Sequence, residues 1–388
     1  MNRLSPHKQA AIIHDLVEGG SLRSAERKHQ VSFNTVMKLF EDAGDMAIAY
    51  FDGLKDLECA RIQADEMHTF VGTRDRFDRL TGEVASGLGT VWVYVAVDAD
   101  TKMIVDFLPG TREVYDATRF MKSIASKLRR DSFGRFAVRP TIVTDGLPAC
   151  KEATAIAFGT DADVGMMIKK YSDVGKKGQK LSRERYIGAD RVTLIGSPKY
   201  EDIHTSYIER TNLNLRMDIK RLGRKSNAFS KKLLNLKRHL ALWALYFNFC
   251  RVHKALRMPP AMAAGLSDHI WEVDEIVQRT SEFLAERLRN QVANDDPAEE
   301  VSSDAIPTHW VYRSTLHYLA KVHAADCYHC KHGEGQRRGN QKAGEWLPFY
   351  SQESAMVAAA ALEPDRHAVC NVCIGSYRNA GGYRGPRR

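Results

Sequence analysis

Residues 90–108, TVWVYVAVDADTKMIVDFL, decide the fold class. Two runs rich in β-branched and aromatic residues, 90–97 and 102–108, flank the polar turn Asp98-Ala99-Asp100-Thr101, the pattern of a β-hairpin. Just upstream, 61–71 (RIQADEMHTFV) reads as a strand, so three antiparallel strands are expected in succession. Downstream the period changes. Residues 118–128 form an amphipathic helix, 139–144 a strand running straight into Asp145-Gly146, and 164–169 another short strand. Residues 206–222 read as a helix and 231–249 as a longer, more apolar one; 176–191, glycine-rich and basic, read as a mobile loop. An antiparallel start followed by alternating helices and strands predicts a mixed α/β sheet flanked by helices.

Ahead of the sheet, three short helices are expected. The first covers 6–18 and stops at Gly19-Gly20; Ser21 caps the second, 22–29. Ser32 caps the third, which turns Phe33, Val36, Leu39 and Phe40 inward and Asn34, Thr35 and Lys38 outward, and Gly44 ends it. Two helices about a tight turn, the second polar near its start, make a helix-turn-helix; a small helical bundle without that role fits equally well.

The chain has 388 residues and a net charge of +9, with charge sorted into blocks. From Arg210 to Arg238 ten Lys or Arg face one acid, Asp218, while 271–304 holds ten acids against three arginines. One basic block of this kind suits phosphate. The longest apolar run, 240–250, is eleven residues and is interrupted by Asn248, too short for the roughly 20 that a membrane span needs. The first residues lack an apolar signal core, and seven cysteines do not suggest a secreted disulfide framework, so a cytoplasmic protein is expected.

Three acids stand where metal-dependent phosphodiester chemistry would want them. Asp65 lies in the first strand, Asp145 at the end of a later one, and Glu209 near the start of a helix, at spacings of 80 and 64 residues. Carboxylates from two adjacent strands and a helix can converge at one sheet edge and hold two Mg²⁺ ions. On spacing alone, surface or turn acids would be the better reading of Asp65 and Asp145. Asp98 and Asp100 are hairpin-turn acids at the wrong end. The helix after Glu209 shifts the balance: at 100° per residue Glu209, Asn212, Arg216 and Lys220 share one face, and Ile208, Leu215, Ile219 and Leu222 form the adjoining apolar face. Such a helix can pack on the sheet while presenting an acid and cations to one place.

These residues carry a resemblance. Residues 206–229, SYIERTNLNLRMDIKRLGRKSNAF, resemble the signature of insertion-sequence-one transposases, which are DDE recombinases with an RNase H-like core. The likeness extends to ADEMHTFVG (64–72), WVYVAVDADTK (92–102), TDGLPACKEA (144–153) and FNFCRVHKALRMPPAMAAG (247–265), about 60–266 in all. It implies that Asp65, Asp145 and Glu209 are a catalytic triad holding two Mg²⁺ ions, with Mn²⁺ able to substitute. Arg216 would contact transposon-end DNA, with Asn212 on the same face. Lys220, Arg221, Arg224 and Lys225 would hold backbone phosphate, and Asn34, Thr35 and Lys38 would face the terminal repeats. The expected partners are double-stranded DNA, as ends and target, and a second copy of the chain. The chain departs from the family at His68, where members often carry an aromatic, and in having no cysteine before Cys59, where some carry a zinc finger.

Two Cys-x-x-Cys pairs, Cys327/Cys330 and Cys370/Cys373, lie beyond the resemblance and predict a Cys₄ site for one structural Zn²⁺, with a helix at 353–362 between them; a redox pair or incidental thiols are the alternatives. Cys59, Cys150 and Cys250 read as small core residues, and His204, His239 and His253 as structural or phosphate-facing. The expected plan is a helix-turn-helix at 1–45, a connector at 46–60, an RNase H-like core at 61–268, an acidic helix and linker at 269–306, a zinc-binding module at 307–378 and a disordered basic tail at 379–388. The expected activity is that of a bacterial insertion-sequence transposase. Alternatives are a non-catalytic DNA-binding descendant and an RNase H-like nuclease acting on RNA–DNA hybrids.

Overall fold

The computed structural model describes residues 4–72, 89–172, 185–223 and 227–294, the strands within 309–369, and scattered helical positions between 352 and 359. The chain divides into two compact units, Met1–Glu83 with Leu88–Gln291, and Val84–Gly87 with Val292–Arg388.

The first unit is built on a six-stranded mixed sheet. Its strands are β1 (Arg61–Val71), β2 (Gly89–Asp98), β3 (Ile104–Gly110), β4 (Thr141–Asp145), β5 (Asp163–Ser172) and β6 (Arg185–Ile195), in the order β3-β2-β1-β4-β5-β6. The first three pair antiparallel, as the hairpin reading expects; β4 and β5 then run parallel to β1, and β6 returns antiparallel. Parallel neighbours need crossovers, and the helix α4 (Val114–Lys127) before β4 and α5 (Pro148–Phe158) after it supply them.

Alternation along the strands divides the core in two. Ile62 and Ala64 of β1, with Tyr94 and Ala96 of β2, pack against Phe120, Met121 and Ile124 of α4 and Ala153 of α5. Met67 and Val71, with Val93, Val95 and Val97, pack on the other face against the remaining helices. Those are α1 (Pro6–Val17), α2 (Leu22–His29), α3 (Phe33–Asp52), α6 (Ser206–Asp218) and α7 (Leu233–Phe249). Short α8 (Pro260–Ala263) and long α9 (Val273–Asn294) follow. No helix among the described residues is long and apolar enough to cross a membrane.

α7 is buried nearly all round, which accounts for its eleven-residue apolar run. The polar interruption has a use. Asn248 accepts from the Ile104 N–H and donates to its carbonyl, both at 2.9 Å, so one side-chain amide latches α7 to the edge strand β3.

Three expectations are corrected here. Gly44 does not end α3, which runs on to Asp52. A Cβ at Gly44 would lie 2.5 Å from Arg238 Cβ, so the glycine is a close-approach point for α7. Arg238 then reaches Glu41 at 3.1 Å and Asp45 at 2.7 Å on the facing helix. Gly44→Val is expected to cost about 1–3 kcal/mol through overpacking, read as a lower urea midpoint at unchanged slope. Second, α6 stops at Asp218 rather than at 222. Ile219 turns extended and Lys220–Leu222 makes one 3₁₀ turn, which buries both Ile219 and Leu222. Third, much of the expected loop at 176–191 is not loop: β6 begins at Arg185. Its charges and Gly188 hide the period, as suits an edge strand; 173–184 lie outside the described residues.

The second unit carries β7 (His309–Ser314), β8 (Leu319–Ala324), β9 (Gly344–Phe349) and β10 (His367–Val369) in a sheet ordered β10-β8-β7-β9, over a small core of Val311, Ala320, Val322, Ala355 and Ala359. Cys327, Cys330, Cys370 and Cys373, most of the helix expected at 353–362 and the tail at 379–388 lie outside the described residues.

Candidate active site

The site forms where β4 ends. Thr144 is the last β4 residue paired with β1, opposite Ala64, so Asp145 follows beside Asp65 at the carboxyl end of a parallel strand. This is also where the chain order reverses, with β2 on one side of β1 and β4 on the other, and such switch points open a crevice. One carboxylate oxygen from each of Asp65, Glu66 and Asp145 lies within 4.8 Å of the others.

α6 is docked on this point by β1. Gln63 Oε1 accepts the backbone N–H groups of Tyr207 (3.0 Å) and Ile208 (3.1 Å), two of the donors that a helix start leaves open. One turn on, Asn212 Nδ2 donates to Asp65 Oδ2 at 2.9 Å. The other Asp65 oxygen accepts the Glu66 N–H, also at 2.9 Å, and Asp145 Oδ1 accepts from Leu147 N at 3.1 Å.

Electrostatics mark the same place. Burial, with the Asp145 charge second, pushes the Asp65 carboxyl up to about 6. Burial and Asp145 push Glu66 up to about 7, against the pull of Arg112. Burial and like charge disfavour the ionised carboxylates here, and a bound cation would relieve both. The donors are all hard oxygens, and one buried oxygen, Glu66 Oε2, accepts no hydrogen bond; that set fits a small divalent ion.

Glu209 stands apart from this cluster. Its side chain is 44% exposed and pairs with Lys169 Nζ at 2.7 Å, while Thr205 Oγ1 donates to it at 2.5 Å. Burial acts to raise its carboxyl, but Lys169 and Thr205 prevail and hold it below the ordinary glutamate range. The Lys169 charge also acts on Asp65, so the ammonium bridges Glu209 electrostatically to the aspartates.

The other candidates fall on three kinds of surface. Asn34, Thr35 and Lys38 are exposed on α3; Thr35 shares a 2.8 Å hydrogen bond with Ser32, and Lys38 pairs with Asp42 at 3.0 Å. Asn212 is buried at the site, Arg216 half-buried and Lys220 exposed. Arg221 is turned inward, 5.2 Å over the Phe40 ring, and donates to Ser230 Oγ at 3.2 Å. Arg224 and Lys225 lie outside the described residues. Asp98 is a turn acid, binding the Thr101 N–H and hydroxyl opposite Ile62. His239 is fully buried beside the Leu16 carbonyl (3.1 Å), and burial lowers it to about 3, so it stays neutral. Cys59 and Cys150 are buried and Cys250 half-buried.

Glu66, Gln63, Lys169 and Arg112 are the site residues that sequence reasoning passed over. The first had a signal, the adjacent pair Asp65-Glu66. Strand alternation sends such neighbours to opposite faces, so the pattern alone gives no reason to join them.

The family model for "IS1 transposase" matches residues 162–243, from β5 through α6 into α7, a segment that contains Lys169, Glu209 and Asn212. Nothing among curated proteins matches the chain. Among solved structures, the chain is similar to a piggyBac transposase synaptic complex with hairpin DNA, at 11% identity over 78% of this chain and 79% of that one, TM-score 0.35. It is also similar to a pre-cleavage Mos1 transpososome, at 12% identity over 77% and 81%, TM-score 0.23. Over residues 162–243, then, the chain is similar to IS1 transposases.

Proposed function

We propose that the protein is the transposase of an insertion sequence, cutting and joining DNA at the terminal repeats of its own element through an RNase H-like core. The observation that carries this reading is the meeting of Asp65 and Asp145 at one sheet edge, under a helix that belongs to the family-matched segment. Three antiparallel strands followed by parallel ones, with acids at the carboxyl edge, support the assignment of the core.

Asp65 and Asp145 would hold one divalent cation and Glu209 would help hold a second. Such ions supply a more acidic water and charge neutralisation at the phosphodiester. The chain's own residues do the rest. Asn212 orients Asp65 by its 2.9 Å hydrogen bond, and Gln63 fixes the helix that carries Asn212 and Glu209. Lys169 balances Glu209 until DNA arrives. Water attack on phosphorus breaks the bond to the 3′ oxygen and leaves a 3′-hydroxyl and a 5′-phosphate; that hydroxyl would in turn attack a target phosphodiester in line, joining to its phosphorus and releasing the target's own 3′-hydroxyl. No covalent enzyme intermediate is required.

Asn34, Thr35 and Lys38 would face the repeats, and Arg216 and Lys220 the backbone. Lys220→Ala is expected to weaken end binding evenly across sequences and to lower the slope of log K against log salt by about 1, measured by fluorescence anisotropy. Two ends must be joined, so the working form would be at least a dimer. The C-terminal cysteines would bind one Zn²⁺; elemental analysis of purified protein should return about one zinc per chain, lost when Cys327 and Cys330 are replaced by Ser.

The test is a duplex carrying the inverted repeat that brackets the gene. With Mg²⁺ the protein should nick it at the repeat end, and with EDTA it should not; binding without cleavage at any divalent ion would refute the enzymatic reading. The second reading is a DNA-binding descendant that no longer cuts. The pairing of Glu209 with Lys169, away from the aspartates, favours it, and the same assay separates the two.

A further inference from the structure

Asp65 and Asp145 have a third neighbour that the two-aspartate scheme does not use. Glu66 follows Asp65 on β1, so its side chain leaves the opposite face of the sheet. β4, however, pairs with β1 only through Ala64. Beyond that point β4 no longer pairs with β1, and an oxygen of Glu66 comes within 4.8 Å of oxygens of both aspartates.

The Glu66 side chain is 2% exposed. Its two oxygens are treated differently. Arg112 donates through Nε (3.0 Å) and Nη2 (2.7 Å) to Oε1 alone. Oε2 is buried and accepts nothing. Arg112 is itself held, its guanidinium 4.3 Å from the Trp92 ring centre. A carboxylate oxygen kept from water with no donor is costly, and native proteins rarely leave one so without a ligand to meet it.

We propose that Glu66 is a third carboxylate ligand of the divalent cation held by Asp65 and Asp145, and that Arg112 is the positioning residue that engages one of its oxygens and leaves the other for the ion. This deepens the metal-dependent reading of the site and rests on it. Glu209, paired with Lys169 outside the cluster, is not needed for that ion to bind.

The test is Mn²⁺ titrated into the full chain without DNA, with free Mn²⁺ read from its electron paramagnetic resonance signal. Glu66→Gln is expected to weaken binding about tenfold or more, as Asp145→Asn does. Glu66→Asp keeps the charge and shortens the reach, and should fall between, at roughly three- to tenfold. Each variant's fold is checked by its melting curve and by DNA binding. If Glu66→Gln folds and binds Mn²⁺ like the wild type, the proposal falls and the Asp65–Asp145 site still stands; if Glu66→Gln does not fold, wild-type affinity in Glu66→Asp has the same force. If Asp145→Asn binds normally, or the wild type binds no Mn²⁺, the proposal and the metal-dependent reading fall together.

Discussion

Asp145→Asn is expected to reduce Mg²⁺-dependent nicking of repeat-end DNA by roughly 10³-fold or more, on the order of 4 kcal/mol of barrier, while binding of the same duplex stays within about twofold. The amide keeps the shape and can still accept the Leu147 N–H, which holds the turn after β4. It removes the charge that, after burial, does most to push Asp65 and Glu66 upward. The variant therefore has a second signature in metal-free protein. A carboxyl whose folded pKa is raised, here to about 6 and about 7, favours the folded state below its unfolded value and loses that contribution as pH rises through the folded one. Wild-type stability should thus fall between about pH 4 and 7, and Mg²⁺ should restore it at pH 8. Asp145→Asn should show a shallower fall and little response to Mg²⁺. Gel assays of nicking and melting curves at several pH values measure both, and wild-type nicking by a folded variant would falsify the site.

The strands that carry the two aspartates were legible in the sequence: 61–71 beside a clear hairpin, and 139–144 running straight into Asp145-Gly146. β4 starts level with β1 and stops after Asp145, which leaves its last residue beside Asp65. Glu209 was legible as a helix-start acid, but not the Lys169 that engages it, since that contact depends on β5 being next to α6 in space. Glu66 was hidden by a rule that holds within a sheet and lapses where the neighbouring strand stops. The end of α3 was misplaced for a related reason. Gly44 weakens a helix locally, and only the passage of α7 behind it shows why the bare backbone is kept. In each case the missing information lay in which element passes nearby, and a single strand or helix pattern does not contain it.

Asp218→Ala should lower stability by about 2–4 kcal/mol, moving Tm by roughly 5–10 °C, more than any exposed substitution in the basic block. Asp218 closes α6, and its Oδ2 accepts from Trp243 Nε1 at 3.1 Å and from Arg251 Nη1 at 2.6 Å. Trp243 is fully buried at the centre of α7. Removing the carboxylate leaves a buried indole N–H without an acceptor and a half-buried guanidinium without its counter-ion, and both penalties fall on one substitution. Asp218→Asn keeps an acceptor for the indole and loses only the charge, so it should cost about half as much. The effect on the site should be smaller than the effect on stability. α6 is fastened at both ends, by Gln63 at its start and Asp218 at its finish, and Asn212 lies nearer the Gln63 end. Folded Asp218→Ala at low temperature should therefore keep its Mn²⁺ affinity within about threefold while melting early. A variant that melts like the wild type would show that α6 does not depend on the Asp218 fastening at its finish. One that melts normally but loses Mn²⁺ would mean that the far end of the helix, and not Gln63, sets where Asn212 meets Asp65.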